Sequence, residues 1–153
     1  NIIDYVKSSG DDLWKAENIG SLTTKGYEFD ISYSFKSSYD LSNVNSISIG
    51  YTNIRDNNYV TDINFSKYSL NSLKHHLISK LNLKYTKYIN HSIVYKYSER
   101  SNKSNYSVLD SKIMYKKGLY IYINNILDEI YSETNLVPMP GRSFLVGFNV
   151  GID

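Results

Sequence analysis

Ser143-Phe144-Leu145-Val146-Gly147-Phe148-Asn149-Val150-Gly151-Ile152-Asp153 decides the fold class. Phe144, Val146, Phe148, Val150 and Ile152 fall on one face of an extended chain, and Leu145, Gly147, Asn149 and Gly151 on the other. Unbroken alternation over the whole run predicts a strand. Apart from Leu145 the second face is small or polar. One side therefore meets an oily surface and the other meets water or polar side chains, the pattern of a strand in a membrane barrel. Immediately upstream, Leu119 to Leu127 reads as the preceding strand, Asp128-Glu129-Ile130-Tyr131 leaves it, and Pro138-Met139-Pro140-Gly141-Arg142 turns the chain back.

Working outward from this end, the same alternation recurs. Tyr106 to Tyr115 is expected to be a strand with Leu109, Ile113 and Tyr115 outward, joined to the terminal pair by a tight turn at Lys116-Lys117-Gly118. His91 to Glu99 aligns Ile93, Tyr95 and Tyr97, and Thr86 to Asn90 is a short turn before it. In Leu73 to Tyr85, Leu77, Leu81, Leu83 and Tyr85 oppose His76, Lys80, Asn82 and Lys84. Leu70, Leu73, Leu77 and Leu81 also suit helical spacing, but the flanking alternation decides for a strand. Val44 to Ile54 places Ile47, Ile49 and Tyr51 opposite Ser46, Ser48, Gly50 and Thr52, and Arg55 to Asn71 follows as a long polar connection. Leu13 to Phe35 reads as one long extended segment. Its second half sets Tyr27, Phe29, Ile31, Tyr33 and Phe35 against Glu28, Asp30, Ser32 and Ser34. Two carboxylates on that face are costly in a dry core and cheap in a wet lumen. Asn1 to Lys7 is a short strand before the polar loop Ser8-Ser9-Gly10-Asp11-Asp12. The expected fold is all-β, with about eight antiparallel transmembrane strands.

The terminal segment resembles the C-terminal end of TonB-dependent outer-membrane receptors. The residues that carry the resemblance are Asn125-Ile126-Leu127-Asp128, Tyr131 and Pro140-Gly141-Arg142-Ser143-Phe144. Upstream, Trp14-Lys15-Ala16-Glu17-Asn18-Ile19-Gly20 and Thr24-Lys25-Gly26-Tyr27-Glu28 look like a second segment of that family, and Tyr106 to Tyr115 like a third. The resemblance covers nearly all 153 residues, but only the last third or so of such a barrel. It implies that residues 1–153 are the C-terminal part of an outer-membrane barrel of about 22 strands, with the plug domain and earlier strands absent. It further implies a receptor and transporter that takes up a scarce nutrient, such as siderophore-bound iron or cobalamin, with TonB-derived energy. Implied partners are the TonB complex acting through the TonB box and plug, the barrel-assembly machinery, outer-membrane lipid and a small-molecule nutrient. Asn125, Tyr131, Pro140, Gly141 and Arg142 are then structural. Trp14, Arg55, Asp56 and Tyr59, in segments read as extracellular, are candidate ligand contacts. The family ends on an aromatic residue, so the chain ending at Asp153 is expected to have lost a Phe or Trp at the next position, on the Phe148–Ile152 face.

Connection lengths give the same orientation. Lys36–Asn43, Thr86–Asn90 and Lys116–Gly118 tend to be short, and Arg55–Asn71, Arg100–Asn105 and Asp128–Arg142 tend to be longer. Bacterial barrels keep short turns in the periplasm and long loops outside, which places the C-terminus in the periplasm of a Gram-negative bacterium. Sixteen tyrosines suit interfacial girdles, although tyrosine is also a good strand former.

Composition bounds the alternatives. The chain has 153 residues and no cysteine, so it is one domain or a piece of one, without disulfides, thiolate metal sites or a cysteine nucleophile. A net charge of +2 with interspersed signs gives no concentrated basic surface for nucleic acid. No run of about 18 apolar residues is present for a transmembrane helix. Mean hydropathy of −0.40 is compatible with a barrel, since half of each strand is polar. His75 and His76 are adjacent and point to opposite faces of a strand, and His91 lies across a turn, so no metal site is expected. Glu28 and Asp30 have no accompanying nucleophile or base, which argues against an enzyme. Asp56-Asn57-Asn58 and Asp62 lack the ordered spacing of a calcium loop. No cofactor is expected. Two rival readings remain: a complete small barrel of eight strands with a structural or adhesive role, and a soluble β-sandwich such as a carbohydrate-binding module. The thin inward face at Ser46, Ser48, Gly50 and Thr52 argues against the first, since a narrow lumen must be filled.

Overall fold

The computed structural model describes residues 3–18, 22–35, 43–58, 65–66, 73–100, 105–116, 118–134 and 137–149. Among them every regular element is a strand. The strands are β1 (Ile3–Lys7), β2 (Lys15–Asn18), β3 (Leu22–Ser34), β4 (Val44–Asn58), β5 (Phe65–Ser66), β6 (Leu73–Lys84), β7 (Ile89–Arg100), β8 (Asn105–Tyr115), β9 (Leu119–Asn124), β10 (Ser132–Thr134), β11 (Val137–Pro138) and β12 (Ser143–Phe148). Seven form one antiparallel sheet in the order β12-β9-β8-β7-β6-β4-β3. A small sheet, β2-β1-β5, and a two-stranded ribbon, β10-β11, complete the fold. Neighbours in the large sheet are neighbours in sequence apart from the excursions holding β5 and β10-β11, so it is a meander built from local pairings.

Register turns the alternation into two faces. Tyr33 pairs with Ile47, Ile47 with Leu81, Leu81 with Ile93, and across β8 and β9 the row continues through Ser111 and Ile123 to Phe144. The next row along β9 and β12 holds Ile113, Ile121 and Val146. These residues form an apolar face, and among the described residues no second sheet covers it: Phe144 and Phe148 are 70% and 73% exposed. The opposite face carries Glu28, Thr52, His76 and Ser98 in one row and Ser32, Ser48, Lys80, Val94 and Asp110 in another. Contacts between strands run almost wholly between hydrogen-bonded neighbours. The accessible surface is 11376 Å², against about 8,000 Å² for a compact monomer of this mass. Among the described residues, these strands do not stack as a two-layer sandwich.

Val6 of β1 is buried in the small sheet, and the core of the large sheet lies on the polar side of β8, where Tyr106 and Val108 are buried beside Asp110. There the connection between β9 and β12 folds back over the sheet, with Tyr131 stacked on Tyr106 at 4.4 Å between ring centroids.

Several expectations need correction. Leu13–Phe35 is not one segment: β2 pairs with β1 in the small sheet and β3 with β4 in the large one. Leu13 to Asn18 lacks the alternation of β3, and all four residues of β2 are exposed, so no buried face ties it to the same sheet. Arg55 was expected to open a connection, yet β4 runs on to Asn58, because polar partners on β3 continue the ladder: Lys25 pairs with Arg55 and Thr24 with Asp56. The strand from Leu119 stops at Asn124, since Asn125 takes a positive φ of 51°, a conformation that asparagine tolerates better than most residues. The terminal strand ends at Phe148, and residues 150–153 lie outside the described ones. The large sheet has seven strands rather than about eight, and β3 and β12 stand at open edges with no closed barrel among the described residues.

Candidate functional site

Connection length sorts the two ends of the large sheet. One end, the short-turn end, holds the turns 85–88 and 116–118; from the other, the long-connection end, the chain leaves β4 for β5 and leaves β9 in a strap that leads to β12. The strap and the polar face beneath it form the most built site in the molecule.

Asn125 anchors the strap. It is completely buried, and its backbone N–H donates to Asp110 Oδ1 at 2.9 Å. Its side chain closes a small ring: Nδ2 donates to the Glu129 carbonyl at 2.9 Å and Oδ1 accepts the Glu129 N–H at 3.0 Å. A longer contact runs from Nδ2 to the Pro140 carbonyl. The Ile126 N–H donates to the Leu109 carbonyl at 2.7 Å, so the chain rejoins β8 after its positive-φ step. Asp128, also at positive φ, accepts the Arg142 N–H at 2.8 Å, and Arg142 Nε donates to the Ile126 carbonyl at 2.9 Å. A Cβ on Gly141 would stand 2.9 Å from Asp128 Oδ1, so a side chain there would have to displace the Asp128 carboxylate. Asn125, Pro140 and Arg142 thus meet in one hydrogen-bonded unit, the Tyr131 carbonyl accepts the Met139 N–H beside it at 2.8 Å, and Pro-Gly-Arg brings the chain to β12.

Beneath the strap, Asp110 is 3% exposed and accepts from Lys96 Nζ at 3.0 Å. Sequence reasoning passed over this pair, because Lys96 and Asp110 sit among neutral neighbours on different strands and only the β7–β8 register brings them together. Burial pushes the Tyr131 phenol above its ordinary pKa, and the nearby Glu133 carboxylate adds to the effect. The strap is latched by these bonds: the Asn125 side chain, Asp128 and Arg142 are each bonded to backbone groups of the connection.

The candidate ligand contacts are spread out. Trp14 follows the loop between β1 and β2, with Lys7 Nζ over its ring at 5.2 Å. Arg55 and Asp56 lie on β4, where Asp56 Oδ1 accepts from Thr24 Oγ1 at 2.8 Å. Tyr59 lies outside the described residues. Trp14 stands just before β2 of the small sheet, and Arg55 and Asp56 lie in the large one, so these three share no element that converges them. A cavity of about 230 Å³ opens among Asn82, Asn90, Ser92, Lys112 and Met114 near the short-turn end; a pocket for a drug-sized ligand begins at about 300 Å³. His75 and His76 face opposite sides of β6: His75 Nδ1 meets Tyr51 Oη at 2.7 Å on the apolar face, and His76 pairs with Thr52 and Ser98.

Comparison with known proteins finds no matching family, no matching curated protein and no matching solved structure.

Proposed function

We propose that residues 1–153 form part of the wall of an outer-membrane β-barrel of the TonB-dependent receptor kind, which binds a scarce nutrient outside and imports it with energy delivered by TonB. One observation carries this reading: a seven-stranded meander exposes a broad, mainly apolar face while its other face is largely polar and charged. In water such a face is a liability, whereas in a bilayer it is the surface that meets lipid. Strand length supports it as well. Crossing a bilayer takes about 9–11 residues of tilted strand; β3, β4, β6, β7 and β8 have 13, 15, 12, 12 and 11, while β9 and β12 have 6 each. The open edges at β3 and β12 favour a piece of a wider wall over a small barrel closed on itself. Nutrient class and the TonB partnership rest on the resemblance of Asn125–Asp128, Tyr131 and Pro140–Phe144 to the end of such receptors. The long-connection end, with Arg55, Asp56 and the strap, then faces outward, and the short turns face the periplasm.

The test is the size and location of the native product. An antibody against this segment is expected to stain a band several times larger than 17.7 kDa in the outer-membrane fraction, with the altered gel migration on boiling that barrels show. A soluble-fraction band sinks the proposal. A membrane band near 17.7 kDa replaces it with a self-sufficient small barrel.

A further inference from the structure

The short-turn end of the large sheet carries charge of one sign. From the row of Ser34, Ser46, Asn82, Ser92, Lys112 and Tyr122 to that end, the charged side chains among the described residues are Lys84, Lys87, Lys112 and Lys116. Every described carboxylate of the seven strands lies in the other part: Glu28, Asp30, Asp56, Glu99 and Asp110. Asp40 and Asp153 fall outside the described residues.

Two of these lysines are held in place. In the β6–β7 turn, Thr86 Oγ1 accepts the N–H groups of Tyr88 and Ile89, each at 3.1 Å. The neighbouring β8–β9 turn docks against it, Lys116 N–H donating to the Tyr88 carbonyl at 2.8 Å. This contact sets the rings of Tyr88 and Tyr115 6.2 Å apart. Lys87 Nζ lies 4.9 Å and Lys116 Nζ 5.3 Å from the Tyr88 ring centroid, and Lys116 Nζ is also 5.3 Å from that of Tyr115. Both rings are 43% exposed. Tyr115 belongs to the apolar face, in the row with Leu119 and Phe148, so the cluster sits where that face ends.

We infer that Tyr88, Tyr115, Lys87 and Lys116 bind the headgroup of an anionic glycerophospholipid. The inference rests on the membrane reading above and adds a ligand to it. An aromatic ring at the edge of an apolar band meets the glycerol and upper acyl region, while a lysine stem lies along it and carries its ammonium to the phosphate. A zwitterionic headgroup brings its own cation to a surface where the charged groups among the described residues are cations. An anionic one complements it. Ring faces hold the two ammonium groups in place before a lipid arrives, and no described carboxylate competes for them.

The test is flotation of the 153-residue chain after dilution from urea into phosphatidylcholine vesicles, with or without one phosphatidylglycerol in three lipids. Incorporation protected from protease is expected in both, with a preference for the anionic vesicles at low salt. Lys87→Gln and Lys116→Gln are each expected to reduce that preference about fivefold, and Lys25→Gln and Lys74→Gln, at the other end, to leave it unchanged. Equal incorporation into the two vesicles overturns the inference while leaving the membrane reading standing. So does a preference that survives in the Lys87→Gln/Lys116→Gln double variant, or one that the distant variants abolish equally. A chain that enters neither vesicle overturns this inference, while the membrane reading stands or falls on the fraction in which the native product is found.

Discussion

Asn125 concentrates more of the local architecture than any other residue. It combines a left-handed backbone, complete burial and a side chain bonded twice to Glu129. Two such bonds are worth about 1 kcal/mol each, and a Cβ at positive φ on a residue without asparagine's tolerance adds about 1 kcal/mol. Asn125→Gly keeps the backbone and loses the bonds; Asn125→Ala loses both. Urea unfolding in detergent micelles, followed by far-ultraviolet circular dichroism, is expected to show a loss of about 2 kcal/mol for the glycine variant and about 3 for the alanine variant. Equal losses would remove backbone strain from the account. The sequence marks this position only through its place in the Asn-Ile-Leu-Asp run. Alternation from Leu119 to Leu127 carries a strand straight through it, because periodicity is blind to a single residue's φ. The Lys96–Asp110 pair is invisible for a related reason: a cross-strand contact depends on register, and composition does not state register.

At the scale of elements, alternation is read well wherever one face is apolar. Tyr27 to Phe35 and Leu73 to Leu83 show both faces in the residues themselves, and β3 and β6 follow them closely. Where a strand is polar on both faces the signal vanishes, and β4 beyond Ile54 goes unread for that reason. Its partner Gly26 shows what holds that stretch together. A Cβ there would lie 2.5 Å from the Asn53 backbone oxygen, and backbone cannot step aside as a side chain can. Gly26→Ala is therefore expected to pry β3 from β4 and to cost about 1–3 kcal/mol. Gly10, in the β1–β2 loop, has open space where its Cβ would go, so Gly10→Ala should leave stability within about 0.5 kcal/mol of the parent. The same urea titration compares them. A Gly26→Ala chain as stable as Gly10→Ala would mean that the upper β3–β4 ladder opens at no cost.

For the whole molecule, the decisive quantity is surface. The chain exposes 11376 Å², an excess of about 3,000 Å² over a compact monomer of its mass, and much of it is the face bearing Phe29, Ile31, Ile49, Ile121, Phe144 and Val146. Stabilities of ordinary domains are about 5–15 kcal/mol, too small to keep such a face and two unpaired edges apart in concentrated aqueous solution. Open edges at β3 and β12 offer backbone donors and acceptors to any neighbouring chain, and a flat apolar face gives the resulting sheets a surface on which to stack. In detergent-free buffer, light scattering coupled to size exclusion is therefore expected to find large polydisperse species. In micelles, which cover the face as a bilayer would, the same measurement should find mainly single chains with a strand-rich spectrum. Strand content is legible in the sequence, but barrel closure is not, since it depends on what pairs with the two edges. A monodisperse 17.7 kDa species in plain buffer would show that the apolar face is tolerated in water. The wall reading would then fall, because its one carrying observation would no longer require a membrane.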